Sequence, residues 1–505
     1  MRSTSTGNVL DPGAEIRGAG NRVPFWCWLL VCPGLFAFYL LYAQRSFYLH
    51  DGLQIVYTHL HTGNLSHPRH PLYLPLAAEF VKALEFTGAS IHTRAVWFSG
   101  ACTCIAALFF ALLGREFAWR RGSYLGLALI FGTCPAVLFF ATVVEFHALF
   151  LLCAAIAFWW AERCYRRAEA RSLPHRLLAA AALGLITWSS AMAHSTGNLI
   201  LAPIAVTWLV RKSLRACLPE LVAMTAIHLA LLLLATPLLH AALGRAESPG
   251  QPGEWLREWF HPDGAFSRFA TVWFRELLLP LAPASLAILV LRRADWPRAL
   301  WVILGLLPYA LLCTFILVDD SGTPIHERGA YFLPWLIPGL ILLLQRIRES
   351  RSSLARALFV GAIFAIFVVG QYEVLKHDNR PGRDFGTALR TITKEKPSWL
   401  LCARRFDLES VLLENAEVRP LLASSLITKS SEQLLAELPG FGDAIAQQLT
   451  SGMRVLASES LFVDVPGTPT EVQAKLRIIR LFLKTRFKLR PVGKEPYRFR
   501  ELLHP

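Results

Sequence analysis

The residues best suited to chemistry lie in the polar stretch from Ser46 to Phe80, between the first two long apolar runs. This stretch contains one acid close to the first apolar run, Asp51, and the motif HPRHPLY. Its histidines are His50, His59, His61, His67 and His70. A carboxylate can accept a proton from a hydroxyl group, and imidazole and guanidinium groups can bind phosphate or sugar oxygens. The stretch is too polar to cross a bilayer, so we expect it to form the first wall of an active site on one membrane face.

The histidines also permit a metal site, which the sequence disfavours. His67 and His70 have a spacing that one helical turn brings together, but a proline follows each of them and disfavours a regular helix. His59 and His61 are two residues apart, a spacing that suits a strand better than a helix. We therefore expect no cofactor, with the histidines hydrogen-bonding the loop or a sugar. A divalent metal is the less favoured alternative.

The composition indicates a membrane protein. Of 505 residues, 54% are hydrophobic and only 17% are charged, and the mean hydropathy is +0.42. A soluble chain of this length carries more charge. The net charge of +15 does not indicate nucleic acid, because most of the basic residues lie in short loops between apolar runs. Cys102 and Cys104 lie within an apolar run and are interpreted as packing residues rather than metal ligands.

Hydropathy predicts about eleven membrane spans. They are 24–43, 94–113, 122–140, 143–161, 177–193, 196–210, 219–243, 271–291, 298–318, 329–346 and 356–375. The polar, glycine-rich residues 1–22 are predicted to be a disordered cytoplasmic tail. The first span lacks a small-residue cleavage site, so it is interpreted as a membrane helix rather than a cleaved signal. The transmembrane domain is predicted over 23–375, with its first extracytoplasmic loop at 44–93.

The loops between the predicted spans alternate in charge. With the N-terminus inside, every inside loop carries at least three basic residues, whereas the outside turns near 141 and 194 carry none. Basic residues accumulate on the cytoplasmic side of membrane proteins, so this alternation supports the predicted number of spans. An odd number of spans places the C-terminal residues outside the cytoplasm. The expected location is the inner (plasma) membrane of a bacterium.

Residues 376–505 are predicted to form a soluble extracytoplasmic α/β domain. Strands are predicted at 397–403, 419–427 and 453–463, and helices at 407–418, 430–452 and 469–487. The last helix is basic and amphipathic, so we expect one buried and one solvated face, with contact to anionic lipid headgroups as the alternative. The predicted fold class is therefore mainly α, a polytopic transmembrane bundle with a small C-terminal α/β domain.

Further candidate residues lie at span ends on the same outside face. They are Glu145 and His147 after the third span, His194 after the fifth, Arg275 and Glu276 in the eighth, and Asp319, Asp320, His326, Glu327 and Arg328 after the ninth. One polar residue at a helix end is usually a cap or an interface anchor. Their collection on one face favours a site, because an ionised side chain at mid-membrane costs ~3 kcal/mol or more.

Four segments, in this order, resemble the GT-C superfamily of polytopic membrane glycosyltransferases. They are HDGLQI…HPRHPLYLPL, VVEFHALFLL, AHSTGNLILAP and HERGAYFLPWLIPGL. The chain looks most similar to the branch of protein O-mannosyltransferases, aminoarabinose transferases and their uncharacterised bacterial relatives. The resemblance covers residues 24–346 and implies a bundle in which a sugar is transferred from a polyprenyl-phosphate donor.

The resemblance also implies roles for individual residues. Asp51 matches the acid after the first span, the expected base or acceptor-orienting group. Gly52 stands where many members carry a second acid, which disfavours a paired-acid metal site. Glu145 matches the acid of the second outside turn, and Arg328 and Tyr331 match the segment that approaches the donor phosphate.

The chemistry of such a transfer agrees with these residue types. A phosphate leaving group needs little protonation, so the reaction needs one base for the acceptor hydroxyl and positive charge for the developing phosphate. Arginine suits phosphate because its planar fork binds two oxygens. The predicted catalytic residues are Asp51 and Glu145, the predicted phosphate-binding residues are Arg328, Tyr331, Arg69 and Arg275, and the predicted substrate-binding residues are His67, His70, Tyr73, His147, His194 and Glu327.

The predicted function is sugar transfer with inversion, and two other classes of protein compete with it. The expected partners are a polyprenyl-phosphate sugar, an acceptor hydroxyl on a protein, lipid or glycan, and membrane lipids, but not nucleic acid. A transporter or flippase of a lipid-linked sugar is the main alternative, but it should show polar groups near mid-membrane and inverted repeats. A scaffold that only presents the C-terminal domain would leave the acids at the span ends without a role.

Overall fold

The structure is a computed structural model that describes most of the chain. The residues described are 25–44, 49–60, 63–65, 67, 69–117, 123–168, 170–211, 214–243, 260–282, 285–286, 296–316, 318, 329–349, 352–375, 380–393, 398–402, 418–422, 426, 430–463, 470–494 and 497–504. The predicted N-terminal tail and the predicted helix at 407–418 lie outside these ranges, except for the last residue of that helix.

Helices make up most of the described residues before position 394. They are α1 (Phe25–Leu41), α2 (Leu49–Gln54), α3 (Tyr73–Ala83), α4 (Ile91–Glu116), α5 (Ser123–Gly132), α6 (Pro135–Ala141), α7 (His147–Arg167), α8 (Leu173–Ala193), α9 (Leu201–Arg211), α10 (Leu214–Ala230), α11 (Thr236–Ala242), α12 (Ala265–Thr271), α13 (Trp296–Phe315), α14 (Leu333–Glu349), α15 (Ser353–Leu375) and α16 (Arg380–Thr393). Three π-helical segments interrupt or extend them: Ile55–Leu60, Leu231–Ala235 and Val272–Leu278.

Five helical segments in the described residues are long and apolar enough to cross a membrane. They are Ile91–Glu116, His147–Arg167, Leu173–Ala193, Arg215–Ala242 and Ala330–Glu349. A helix rises 1.5 Å per residue, so about 20 apolar residues match the hydrocarbon thickness of a bilayer. The chain is therefore an integral membrane protein.

The central helices of the bundle pack in sequence order. α4 packs against α7, α7 against α8, and α8 against α10. Small residues allow membrane helices to approach closely, and Gly184 of α8 shows this directly. A Cβ atom at Gly184 would lie 2.5 Å from the carbonyl oxygen of Met224 in α10, so any side chain there would push the two helices apart.

Each predicted span overlaps a helical segment, although several are not single helices. The third predicted span is two helices, α5 and α6, which are separated at Thr133 and Cys134. Pro135 begins α6, where its fixed φ and missing N–H fit the first turn. The seventh span is interrupted by the π-helical segment Leu231–Ala235. The number of spans, eleven, stays a prediction.

The C-terminal region has its own hydrophobic core and a five-stranded mixed sheet. Its elements are β1 (Ser398–Cys402), β2 (Val418–Leu422), α17 (Ser431–Thr450), β3 (Arg454–Ser458), α18 (Thr470–Arg486), β4 (Lys488–Lys494) and β5 (Tyr497–Leu503). The strand order is β2-β1-β3-β5-β4. β1 pairs in parallel with β2 and β3, whereas β5 is antiparallel to β3 and β4. A capping box at Ser430 and Gln433 starts α17.

The sequence analysis missed the hairpin of β4 and β5. The alternation in Tyr497-Arg498-Phe499 is typical of a strand, but the segment is short and highly charged and was not identified. The charges are compensated in the fold, since Glu501 of β5 accepts hydrogen bonds from Arg454 Nε at 2.9 Å and Arg490 Nε at 3.0 Å. The amphipathic nature of α18 is confirmed, because Leu476, Ile479 and Leu483 of this helix are buried.

The proposed orientation in the membrane can be tested with single cysteines, one on each predicted side of the membrane. Ser451, after α17, and Ser172, between α7 and α8, are both exposed. With the C-terminal region outside, an impermeant maleimide should label Ser451→Cys in intact cells or spheroplasts and Ser172→Cys only after permeabilisation. The reverse pattern would overturn the orientation, and labelling of both in intact cells would show that the reagent had entered.

Candidate active site

Five histidine rings form one continuous cluster at one end of the bundle. The distances between ring centroids are 5.7 Å from His59 to His67, 4.7 Å from His67 to His70, 4.6 Å from His70 to His194 and 4.8 Å from His194 to His147. We call these five residues the histidine cluster. The polar stretch before α3, the start of α7 and the end of α8 each contribute to it, so the predicted convergence of His67, His70, His147 and His194 is seen in the structure.

Glu145 lies at one end of the histidine cluster, in the turn between α6 and α7. Its side chain is fully buried. Its Oε2 atom accepts a hydrogen bond from the backbone N–H of Phe146 at 2.8 Å, and lies 3.3 Å from Nδ1 of His147. Because a carboxylate is an acceptor, the Nδ1–H of His147 donates in this contact. The arrangement is a buried acid–imidazole pair at the end of a membrane helix.

The partners of His194 and His70 fix their neutral tautomers in opposite ways. Nδ1 of His194 accepts from the backbone N–H of Thr196 at 3.2 Å and lies 2.7 Å from its hydroxyl oxygen, so the ring proton lies on Nε2. Nδ1 of His70 lies 3.2 Å from the carbonyl oxygen of Ala193 and therefore carries the proton. The cluster thus offers both an N–H donor and an unprotonated nitrogen to a substrate.

Close backbone packing holds the histidine cluster together. Leu72 N–H donates to the carbonyl oxygen of Met192 at 3.1 Å, which fastens the HPRHPLY segment to the end of α8. At the following turn, a Cβ atom on Gly197 would lie 2.3 Å from the carbonyl carbon and oxygen of Ser190. Only glycine lets the chain fold back this tightly, and that turn places His194 beside His147.

Aromatic residues form the floor of the cluster. His70 stacks on Phe146 with ring centroids 3.8 Å apart and an angle of 17° between the planes. Tyr73 is fully buried and packs against Phe146, with the two ring centroids 4.8 Å apart, so it helps to hold the Phe146 ring in place. Tyr331 lies beside His147 and His194, at 5.6 and 5.7 Å. The predicted site residue Tyr331 therefore joins the same cluster.

The cluster reaches the surface at the HPRHPLY segment. His67 is half-buried and Arg69 is exposed, whereas the other four histidines are buried. Arg69 is also close enough to His194 to act on it electrostatically. A phosphate arriving from this side would meet a guanidinium group first and imidazole groups behind it.

Burial makes the cluster resist protonation. It lowers the pKa of His70 and of His194 well below the usual ~6.5. Neighbouring groups add to the effect, chiefly His194 for His70 and chiefly His147 for His194. Both residues lie outside the five long apolar helices. At neutral pH the cluster is therefore uncharged at these positions, and Arg69 provides the positive charge.

The stability of the protein should therefore fall on acidification. A histidine with a lowered folded-state pKa binds its proton more weakly in the folded chain, so its contribution is present above ~pH 6.5 and is lost as the pH falls below that value. We expect Tm to drop between pH 6.5 and 5 in wild type and to drop less in His194→Gln. The exposed residue His175 lies outside the cluster, so His175→Gln serves as the control for replacing a histidine as such. Equal slopes in all three proteins would contradict this prediction.

The second predicted phosphate-binding segment is anchored by Glu276. Oε2 of Glu276, in the π-helical segment Val272–Leu278, accepts a hydrogen bond from the backbone N–H of Gly329 at 2.9 Å. Gly329 has φ +76°, and a Cβ atom there would lie 2.5 Å from the carbonyl oxygen of Glu276. This contact fixes the start of the turn that carries Tyr331. Arg275, beside Glu276, is exposed.

Several predicted site residues lie outside the described part of the chain. His61, Asp319, Asp320, His326, Glu327 and Arg328 fall in undescribed ranges, and for His50 and Asp51 only the backbone is described. That backbone lies in α2, whose neighbours Leu53, Ile55 and Val56 pack into the bundle core. Just before α2, the backbone N–H of Gln44 donates to the carbonyl oxygen of Thr142 at 2.9 Å. The chain thus leaves α1 beside the turn that holds Glu145.

The structure corrects one expectation about this stretch. The spacing of His59 was taken to suit a strand, but His59 lies in the π-helical segment Ile55–Leu60 and its Nδ1 contacts the carbonyl oxygen of Asn64 at 2.7 Å. Apolar packing of Ile55 and Val56 favours the helix over the two-residue pattern. The Glu276–Gly329 contact and the Phe146 floor were not predicted, because neither has a signal in the local sequence.

The described residues contain no group of three or more His, Cys, Asp or Glu side chains arranged to hold a metal ion. Metal independence remains a prediction, and we expect transfer activity to survive EDTA. The histidines contact one another through their rings, and the ring nitrogens identified above already have protein partners. Loss of activity with EDTA, followed by recovery with manganese or magnesium, would show that acids or histidines of the site are ligands.

The fold and the placement of the site define a class of protein: a polytopic membrane protein with a buried acid–histidine site at one end of its bundle. Its structure is similar to ArnT from Cupriavidus metallidurans in the apo state, with a TM-score of 0.55 and 12% identity over 95% of this chain and 98% of that one. ArnT from the same organism bound to undecaprenyl phosphate matches with a TM-score of 0.55 and 13% identity, over 94% and 98% of the two chains.

A more distant similarity links the chain to the archaeal oligosaccharyltransferase AglB from Archaeoglobus fulgidus, with a TM-score of 0.46 and 12% identity over 95% of this chain and 75% of that one. No protein-family profile and no curated protein sequence matches the chain. The similarity to ArnT confirms the expected GT-C resemblance at the level of the fold.

Proposed function

We propose that the protein is a membrane glycosyltransferase that moves a sugar from a polyprenyl-phosphate donor to an acceptor hydroxyl. The observation that supports this most directly is the histidine cluster with Glu145 at one end of an ArnT-like bundle. A fold alone does not assign an activity, but a buried acid, imidazole groups and an exposed arginine at one end of the bundle are residue types that suit this reaction. ArnT was solved with undecaprenyl phosphate bound, a lipid of the proposed donor class.

In the proposed reaction, the acceptor hydroxyl attacks the anomeric carbon as the bond from that carbon to the phosphate oxygen breaks. The electron pair of this bond stays with the polyprenyl phosphate, and the hydroxyl proton moves to the carboxylate of Asp51. Arg328, Arg69 and Arg275 are the proposed contacts of the phosphate. Attack opposite the leaving group inverts the configuration of the anomeric carbon.

Glu145 has a supporting role that follows from its contacts. Its carboxylate fixes the Nδ1–H tautomer of His147 at 3.3 Å, so the other nitrogen of that ring can accept a hydrogen bond from a sugar hydroxyl. His194 and Tyr331, which pack beside His147, would then hold the sugar ring from the same side. We place the reaction at the extracytoplasmic face of the inner membrane.

The test is a transfer assay with purified protein and synthetic polyprenyl-phosphate sugars. Donors carrying several different labelled hexoses and pentoses would be incubated with the protein and with cell-envelope extracts as acceptors. We expect release of polyprenyl phosphate together with transfer of label from at least one donor. Donor-dependent release should fall by about 10²-fold or more in Asp51→Asn, which controls for contaminating enzymes.

A flippase would give a different outcome. Reconstituted in vesicles, it would move the lipid-linked sugar across the bilayer without breaking the bond to phosphate. Translocation of intact donor, with no release of polyprenyl phosphate from any donor in the presence of acceptors, would overturn the proposed function.

A further inference from the structure

A cleft opens at the end of the bundle opposite the histidine cluster. It is lined by residues of α7, α8, α9 and α10 and of the α7–α8 connection, including Cys164, Tyr165, Arg171, Arg176, Trp208 and Glu220. α7 has 21 residues and runs from His147 in the cluster to Arg167 beside the cleft. At 1.5 Å per residue, the two sites are ~30 Å apart, about the hydrocarbon thickness of a bilayer.

Glu220 has one carboxylate oxygen paired and one without a partner. Oε1 accepts a hydrogen bond from Nε of Arg176 at 2.6 Å. Oε2 is buried and has no hydrogen-bond partner among the described residues, although Glu220 is only 7% exposed. A buried acceptor without a hydrogen-bond donor costs folding free energy. A ligand that brings an N–H or O–H donor into the cleft could satisfy this oxygen. Arg176 contacts Oε1 and the carbonyl oxygen of Ala216, and it makes no hydrogen bond to Oε2.

A free cation lines the same cleft. Within the described part of the chain, the guanidinium of Arg171 makes no ion pair or hydrogen bond. Both Arg171 and Glu220 lie within electrostatic range of Cys164, so the free guanidinium and the unpaired carboxylate oxygen are both near that residue in the same cleft. The cleft therefore presents a site for an anion and a site for a cation within one small opening.

We propose that this cleft binds the headgroup of phosphatidylethanolamine, with its phosphate on Arg171 and its ammonium on Oε2 of Glu220. The headgroup carries these two charges two methylene groups apart, and the ammonium has N–H donors. Trp208 and Tyr165 also line the cleft, and tryptophan and tyrosine are the side chains enriched at the level of lipid headgroups. The acyl chains would lie along α10, where Leu218, Val222 and Leu229 are exposed.

Native mass spectrometry of the full-length protein in detergent tests this site without any sugar donor. Palmitoyl-oleoyl lipids with ethanolamine, glycerol or choline headgroups would be added separately at equal concentration. We expect the ethanolamine lipid to be retained most strongly, because the glycerol lipid has no ammonium and the choline lipid has no N–H donor. Glu220→Gln and Arg171→Gln should each weaken that retention by about tenfold, the effect of one charge-assisted hydrogen bond.

Two matched variants serve as controls at the same end of the bundle. Glu162→Gln removes a buried acid paired with Arg166, and Arg167→Gln removes a neighbouring arginine; neither residue lines the cleft. Both should retain the ethanolamine lipid as wild type does. Thermal unfolding would show whether Glu220→Gln folds. If it does not fold, the retention of the ethanolamine lipid by Arg171→Gln decides whether the cleft is the binding site. Equal retention of all three lipids would overturn the proposal, and so would unchanged retention of the ethanolamine lipid in folded cleft variants. The proposal would also fail if the glycerol lipid were retained as strongly as the ethanolamine lipid and only Arg171→Gln weakened the retention.

Discussion

Replacing Asp51 by asparagine is expected to lower the rate of sugar transfer by about 10²–10⁴-fold, the usual cost of losing a general base. Asparagine keeps the size of the side chain but cannot take up the acceptor's proton. Expression and Tm should change little, because the neighbouring residues that pack in the core, Leu53 of α2 and Ile55 of the following π-helical segment, are untouched. Initial rates with a saturating labelled donor, measured beside Tm, separate catalysis from folding.

The alternative is that Asp51 has only a structural role, as the N-cap of a helix. As an N-cap, Asp51 would need a non-helical backbone and would contribute ~1 kcal/mol to the helix. Its backbone instead lies inside α2, Leu49–Gln54, so the capping interpretation is wrong. Glu79→Gln, which changes an exposed acid on α3, controls for general effects of removing a carboxylate and should turn over normally. Wild-type turnover in Asp51→Asn would remove Asp51 from the mechanism.

Arg328→Ala should weaken use of the lipid-phosphate donor by at least tenfold. A charge-assisted hydrogen bond is worth ~1.5–3 kcal/mol, and a ratio of ten corresponds to ~1.4 kcal/mol. Arg328 precedes Gly329, whose N–H is held by Glu276 at 2.9 Å, so the chain is anchored directly after it. The measurement is kcat/KM for the donor, with insertion and Tm checked in parallel.

Two further variants sharpen the interpretation of Arg328. Arg348→Ala removes an exposed arginine near the C-terminal end of α14, whereas Arg328 precedes the start of that helix in the sequence. It should leave donor kinetics unchanged. Arg328→Lys retains the charge but not the planar fork, and we expect an intermediate loss. If donor kinetics are unchanged in Arg328→Ala, the role passes to Arg69 or Arg275, which are both exposed.

The sequence predicted the helices well because a hydrophobic run in a membrane strongly favours one backbone conformation, the helix. Backbone groups in a bilayer must be satisfied within the segment, so a run of apolar residues becomes a helix. The break between α5 and α6 at Thr133 and Cys134 could not be located from hydropathy, because the segments on both sides are apolar. The β4–β5 hairpin was missed because its charges are neutralised by partners distant in sequence, such as Arg454.

The sequence located the candidate site on one face but could not predict its contacts. Loop topology indicated that His70, His147 and His194 lie on the same side of the membrane. Their ring contacts depend on the close turn at Gly197 and on the Leu72–Met192 hydrogen bond. Neither interaction follows from a periodic pattern, because each joins residues whose spacing is decided by tertiary packing.

The stacking of His70 on Phe146 gives the site its own spectroscopic label. With the centroids 3.8 Å apart and the planes at 17°, the protons of the imidazole lie in the shielding cone of the phenyl ring. We therefore expect their NMR resonances to be displaced upfield from those of the exposed His175. In protein labelled selectively at histidine, this displaced signal would report on the cluster during a titration with a polyprenyl-phosphate lipid, before any bond is made or broken.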